Sequence, residues 1–221
     1  MLSTSVLQII AIATMAIDHI GLYFLPECWP LRLIGRLSFP IFCFLLVQGF
    51  KHTHSRVQYF TRILICAIIT EIPIFFLATM THVEYVHNIL FLYALAIPTM
   101  FCVKRGGFAM LIAPLTAFLA SALKLDYGAF GMTLIVGLFL MDRLFGEKRW
   151  LCLTGQFVVL ASTMCLLAMH NEWPIQCWAL LSFIPIALYS GKIGRRLPMF
   201  FRYAFYPAHL FIILFIRLVF Y

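Results

Sequence analysis

The chain has 221 residues, of which 64% are hydrophobic and only 11% charged, with a mean hydropathy of +1.01. Soluble domains carry about 25% charged residues, which excludes a water-facing globule, and the long unbroken apolar runs exclude a barrel of short alternating strands. The formal charge of +8 does not mark a nucleic-acid binder, because the basic residues fall in short stretches between apolar runs, as in cytoplasmic loops of membrane proteins. The composition therefore predicts an all-α, polytopic transmembrane bundle, a single integral-membrane domain over 1–221.

Nine spans follow from the apolar runs and their breakers: 5–25, 33–50, 61–80, 88–103, 107–123, 128–145, 150–169, 174–190 and 202–220. The first has no Lys or Arg before it and no clear small-residue cleavage site, so it reads as an uncleaved span. Connections bearing Lys51, Arg56 and Arg62, then Lys104 and Arg105, then Arg143, Lys148 and Arg149, then Lys192, Arg195, Arg196 and Arg202 alternate with nearly neutral ones. The positive-inside rule places the basic set in the cytoplasm, the amino terminus inside and the carboxyl terminus outside. Lys104-Arg105-Gly106-Gly107 is the tightest turn this assignment requires.

Polar residues at depth carry the functional signal, because an ionisable side chain within the bilayer is costly and marks a site by default. Asp18 and His19 lie in the outer half of the first span. Arg32 and Arg36, one helical turn apart, share a face near the outer end of the second. Glu71 precedes Pro73 in the third, Asn88 opens the fourth, and Asp126-Tyr127-Gly128 forms an outer turn. One aqueous vestibule would account for all of them. Snorkelling of Arg32, a structural pairing of Arg36 with Glu71 or Asp18, and helix capping by Asn88 and Asp126 are the plainer alternatives. At the inner side, Gly191-Lys192-x-Gly194-Arg195-Arg196 suits phosphates, and Tyr206-Pro207-x-His209 puts a second imidazole at depth beside a kink. His82, His87 and His170 fall at outer connections and read as loop residues. None of the seven cysteines forms a Cys-x-x-Cys pair, and no metal site is convincingly spaced.

An imidazole near a carboxylate is the arrangement of general-base catalysis. No Ser or Cys is placed as a nucleophile, which favours direct transfer assisted by His19, or His19 carrying the acyl group itself, with Asp18 or Glu71 orienting it and Arg36 stabilising an oxyanion or holding the carboxylate. A proton-coupled transporter using Asp18, His19 and Glu71 as a relay fits the same residues.

Ile17-Asp18-His19-Ile20-Gly21, then Leu31-Arg32-Leu33-Ile34-Gly35-Arg36-Leu37-Ser38-Phe39-Pro40-Ile41-Phe42, resembles the opening of the TraX family. Gln48-Gly49-Phe50-Lys51-His52-Thr53 continues the likeness, with Gln48 where Glu is expected. Thr70-Glu71-Ile72-Pro73, Asp126-Tyr127-Gly128-Ala129-Phe130-Gly131, Gly191-Lys192-Ile193-Gly194-Arg195 and Phe205-Tyr206-Pro207-Ala208-His209-Leu210 extend it nearly to the end. The resemblance implies a membrane acetyltransferase that takes the acetyl group from cytosolic acetyl-CoA to an amine or hydroxyl, in the family's named member the amino terminus of a conjugative pilin. It also implies kinship with the acyltransferase 3 and heparan-glucosaminide acetyltransferase groups. On that reading Lys192, Arg195 and Arg196 meet the CoA phosphates and the pantetheine arm passes His209. His19 is the base, and Arg32, Asn88, Asp126 and Tyr127 shape the acceptor entrance. A non-catalytic pilus assembly factor is the third possibility.

Overall fold

Helix occupies each of the nine predicted apolar segments in the computed structural model, which describes residues 1–81, 84–195, 197–198 and 200–220. In chain order these are α1 (Thr4–Tyr23), a short α2 (Trp29–Gly35), α3 (Ser38–His52), α4 (Arg56–Thr81) and α5 (Ile89–Arg105). A 3₁₀ turn (Gly107–Leu111) leads into α6 (Ile112–Ala122), followed by α7 (Gly128–Phe145) and α8 (Arg149–His170). A longer 3₁₀ segment (Pro174–Ser182) runs into α9 (Phe183–Ala187), and a π turn (Phe200–Ala204) into α10 (Phe205–Phe220). Among the described residues six stretches are long and apolar enough to cross a membrane: Thr4–Tyr23, Trp29–His52, Arg56–Thr81, Gly128–Phe145, Arg149–His170 and Phe200–Phe220. Among the described residues there is no β-strand, only isolated bridges. The second predicted span begins earlier than its apolar run suggests, because Pro30 starts α2 and the chain breaks at Arg36–Leu37 before α3.

The chain divides into two compact units. The first comprises Met1–His52 and Phe130–Arg196. In it α1 packs on α2 and α3, and α8 packs on the 3₁₀ segment. Leu7, Ala11, Ile41, Phe50, Leu134, Leu138 and Met164 are among its fully buried apolar side chains. Phe50 meets Phe139 edge to face at 5.6 Å. Lys51 on α3 and Asp142 on α7 close one end with an ion pair of 2.5 Å.

The second unit comprises Thr53–Ala129 and Leu197–Tyr221. Here α4 packs on α5 and α10, and α5 on α6, around Ala67, Leu77, Leu92, Met100, Ala120 and Leu210. Along α4, Ile65, Ile68, Ile69, Ile72, Phe75 and Phe76 stay exposed, an apolar face suited to lipid. Threonines within these helices satisfy their hydroxyls on the carbonyl one turn back, as Thr70 does on Cys66 at 2.6 Å and Thr99 on Leu95 at 2.8 Å.

Candidate functional site

Asp18 is the centre of a charged cluster in the first unit. It is buried on α1, with a side chain only 12% exposed. Arg32 Nη1 donates to its Oδ2 and Arg36 Nη2 to its Oδ1, both at 2.7 Å. The i, i+4 spacing on α2 thus delivers two guanidiniums to one carboxylate, one to each oxygen. Arg32 also donates to the Asp18 backbone carbonyl at 3.1 Å. Both guanidiniums lie over the Trp173 ring, at 5.0 Å for Arg36 and 5.7 Å for Arg32. Arg36 further donates to Gln176 Oε1 at 3.3 Å. The approach depends on Gly35: a Cβ there would lie 2.0 Å from Asp18 Oδ1.

His19 follows Asp18, half-buried, its ring centroid 6.1 Å from that of Tyr23 one turn on. Successive residues on a helix point about 100° apart, so the Asp18 carboxylate serves the arginines while the imidazole leaves α1 in another direction. Arg32 is drawn inward to Asp18 rather than outward to the surface.

Glu71 is the centre of a second cluster, within the second unit. His87 Nδ1 lies 2.5 Å from Oε1, and Tyr85 donates its hydroxyl to the same oxygen. Asn88 donates to Oε2 through its side-chain amide at 2.5 Å and its backbone N–H at 3.3 Å. Asn88 also caps α5, accepting from Leu90 N at 3.1 Å, and donates to the Ala67 carbonyl at 2.9 Å. Burial, followed by the hydrogen bond to Glu71 and its charge, pushes the Tyr85 phenol up to about 12. The predicted outer turn joins this cluster through the backbone: His87 N donates to Lys124 O at 3.0 Å and Asp126 N to His87 O at 2.9 Å. Lys124, Tyr127 and Gly128 all adopt positive φ to wrap the chain there. Tyr85, His87, Trp173 and Gln176 were missed as site residues. Tyr85, His87 and Trp173 lie in connections, where hydropathy carries no signal, and Gln176 is a polar residue near the start of the apolar run 174–190; the short spacing from His87 to the Asn88 cap was the available hint.

The basic loop lies against the start of α1. Leu2 pairs with Tyr189, Thr4 N donates to Lys192 O at 2.9 Å, and Ser5 donates through N to Ile193 O at 3.2 Å and through Oγ to Arg195 O at 2.6 Å. Loop carbonyls therefore take amides that α1 would otherwise offer to an anion. The side chains of Lys192 and Arg195 remain exposed, available to phosphate as cations. Arg196 lies outside the described residues, as does His82. His209 is buried on α10, stacked on Phe205 at 5.2 Å, with Nδ1 2.9 Å from the Phe205 carbonyl.

A family model described as TraX protein matches residues 3–217. The chain belongs to the TraX family. A curated relative, the probable fimbrial assembly protein FimC (serogroup H1) of Dichelobacter nodosus, is 27% identical over 229 residues, covering 92% of this chain and 91% of its own. An uncharacterised protein of Rickettsia prowazekii (strain Madrid E) is 41% identical over 66 residues, 30% of this chain and 25% of its own. No solved structure matches this TraX protein.

Proposed function

We propose that this TraX protein is an inner-membrane acetyltransferase that moves an acetyl group from cytosolic acetyl-CoA to an amine or hydroxyl acceptor, the amino terminus of a pilin being the first candidate. The observation that carries the reading is a half-buried imidazole, His19, beside a carboxylate held by two guanidiniums inside an apolar helix. A buried charge network of this kind is costly to maintain for stability alone. The acceptor attacks the thioester carbonyl, His19 takes its proton, the C–S bond breaks, and that proton returns to the departing thiolate of CoA. Asp18, Arg32 and Arg36 position α1 and α2 around His19. Lys192, Arg195 and Arg196 meet the phosphates from the cytosol, and His209 flanks the pantetheine path. Nine crossings with the amino terminus inside and the carboxyl terminus outside accompany this reading.

The test is purified protein in nanodiscs with acetyl-CoA and a pilin amino-terminal peptide, read by free thiol and by acceptor mass. Wild type releases CoA and adds one acetyl group, whereas His19→Ala, still folded in the membrane, loses turnover by about 10²–10⁴-fold. Normal turnover by that variant removes His19 from the mechanism. A second reading, a non-catalytic assembly factor for a surface fibre, is favoured by the name of the Dichelobacter relative. It predicts no CoA release, unchanged acceptor mass, and loss of fibres on deletion.

A further inference from the structure

Acetylating an amine near neutral pH requires two proton removals, and the reaction above accounts for one. The ammonium must first become a free amine; the second proton leaves as the C–N bond forms. We propose that His87, aligned by Glu71, is the base that takes the first proton from an ammonium acceptor, an assignment that rests on the acetyl-transfer reading. A carboxylate only accepts hydrogen bonds, so at 2.5 Å from Glu71 the Nδ1 atom of His87 carries the hydrogen. The neutral ring then holds its lone pair on Nε2. The His87 side chain is 42% exposed, and among the described residues Nε2 has no protein partner.

Glu71, at 21% exposure, is held by Tyr85 and Asn88 as well as His87, so it cannot swing away from the ring. This is the base-plus-orienting-carboxylate arrangement, located at the α4–α5 connection. Among the described residues, the other charged groups at this connection are Asp126 on the neighbouring turn and the exposed Lys124–Glu84 pair. The step balances: R–NH₃⁺ and neutral His87 give R–NH₂ and imidazolium, which returns its proton to water. Glu71 is a positioning residue, and its anion stabilises the imidazolium.

The dependence on His87 must scale with the acceptor's own pKa. An α-amine titrates near 7.7–8.0 and an alkylamine near 10.4, so at pH 7 they are free in about one part in ten and about one in 10³. His87→Gln should lower kcat/KM about 10-fold for an α-amine peptide, up to about 10³-fold for an alkylamine, and leave a hydroxyl acceptor unchanged. Glu71→Gln should lower kcat/KM for amine acceptors while leaving a hydroxyl acceptor unchanged, a selectivity that mere loosening of the fold would not cause. An equal loss for all acceptors, or none, overturns the role of His87 and leaves acetyl transfer standing. Absence of CoA release by wild type overturns both.

Should His87→Gln not fold, carbethoxylation of the wild-type protein in nanodiscs decides. His87 should modify as readily as exposed His52, and more slowly in Glu71→Gln. Protection of His87 while His52 reacts, or no change in Glu71→Gln, overturns the assignment.

Discussion

Tyr85 gives the Glu71 cluster a pH signature of its own. Its phenol is raised from 10.0 to about 12 by burial, by its hydrogen bond to Glu71 and by that carboxylate's charge. An acid whose folded value lies above its unfolded one binds more protons when folded. The stabilisation is therefore complete below pH 10 and declines as pH climbs from 10 through about 12. Ultraviolet titration of phenolate, comparing wild type with Tyr85→Phe, should show the missing chromophore ionising at the alkaline end of that window. Ionisation of Tyr85 at the ordinary value would mean that its hydroxyl does not donate to Glu71. At this scale the four-residue spacing of Arg32 and Arg36 predicted their shared face, and both guanidiniums do reach Asp18. It could not say that Asp18 would occupy both guanidiniums, or that Glu71 would turn to Tyr85 and His87. Those choices depend on how α2 folds back on α1 and how the 123–128 turn wraps residue 87, neither of which leaves a mark in hydropathy.

The elements explain why a particular glycine stands where it does. Gly35 closes α2 against α1 at the level of Asp18, and a methyl group there would sit 2.3 Å from Asp18 Cβ and 2.4 Å from Cγ. Those atoms belong to a side chain fixed by two ion pairs, so relief requires parting the helices. Gly35→Ala should therefore destabilise the protein by about 1–3 kcal/mol, the usual cost of overpacking. On the proposed acetyltransferase reading it should also weaken turnover, because the Asp18 clamp opens with the helices. Thermal melting in detergent beside an activity assay checks both; an unchanged melting point would show that α1 and α2 do not approach this closely. Helix positions were otherwise legible to within a few residues, because apolar length and Pro, Gly or charged breakers define them. The 3₁₀ character of Gly107–Leu111 and Pro174–Ser182 was not legible, since uniformly apolar segments have no periodicity to distinguish 3.6 from 3.0 residues per turn.

For the whole chain, the open quantity is the number of crossings, and the winding of the shorter segments bears on it. At 1.5 Å per residue the 17 residues of α5 reach about 26 Å. The nine 3₁₀ residues from Pro174 rise about 2.0 Å each, so with α9 that segment also reaches about 26 Å, as do Gly107–Leu111 and α6 together. The two segments that contain 3₁₀ turns approach the hydrocarbon thickness of about 30 Å more closely than their residue counts suggest. Within the first unit, Gln176 meets Arg36 at the level of Asp18, whereas Ile193 and Arg195 meet Ser5, 13 residues earlier on α1 and about 20 Å away along its axis. Segment 174–187 therefore runs most of the length of α1 and returns the chain to the side of the amino terminus. Within the second unit, the bonds from His87 to Lys124 and Asp126 put the start of α5 and the end of α6 on one side. Single cysteines introduced into a cysteine-free background test whether these runs cross the bilayer. Glu84→Cys should react with an impermeant maleimide from outside, while Lys104→Cys and Lys192→Cys should react only after the membrane is opened. Outside labelling of Lys104→Cys would make α5 and α6 a hairpin that enters and leaves by one face. Outside labelling of Lys192→Cys would carry the strapped amino terminus with it and invert the orientation, taking the basic loop off the cytosolic side that the proposed acetyl-CoA donor requires.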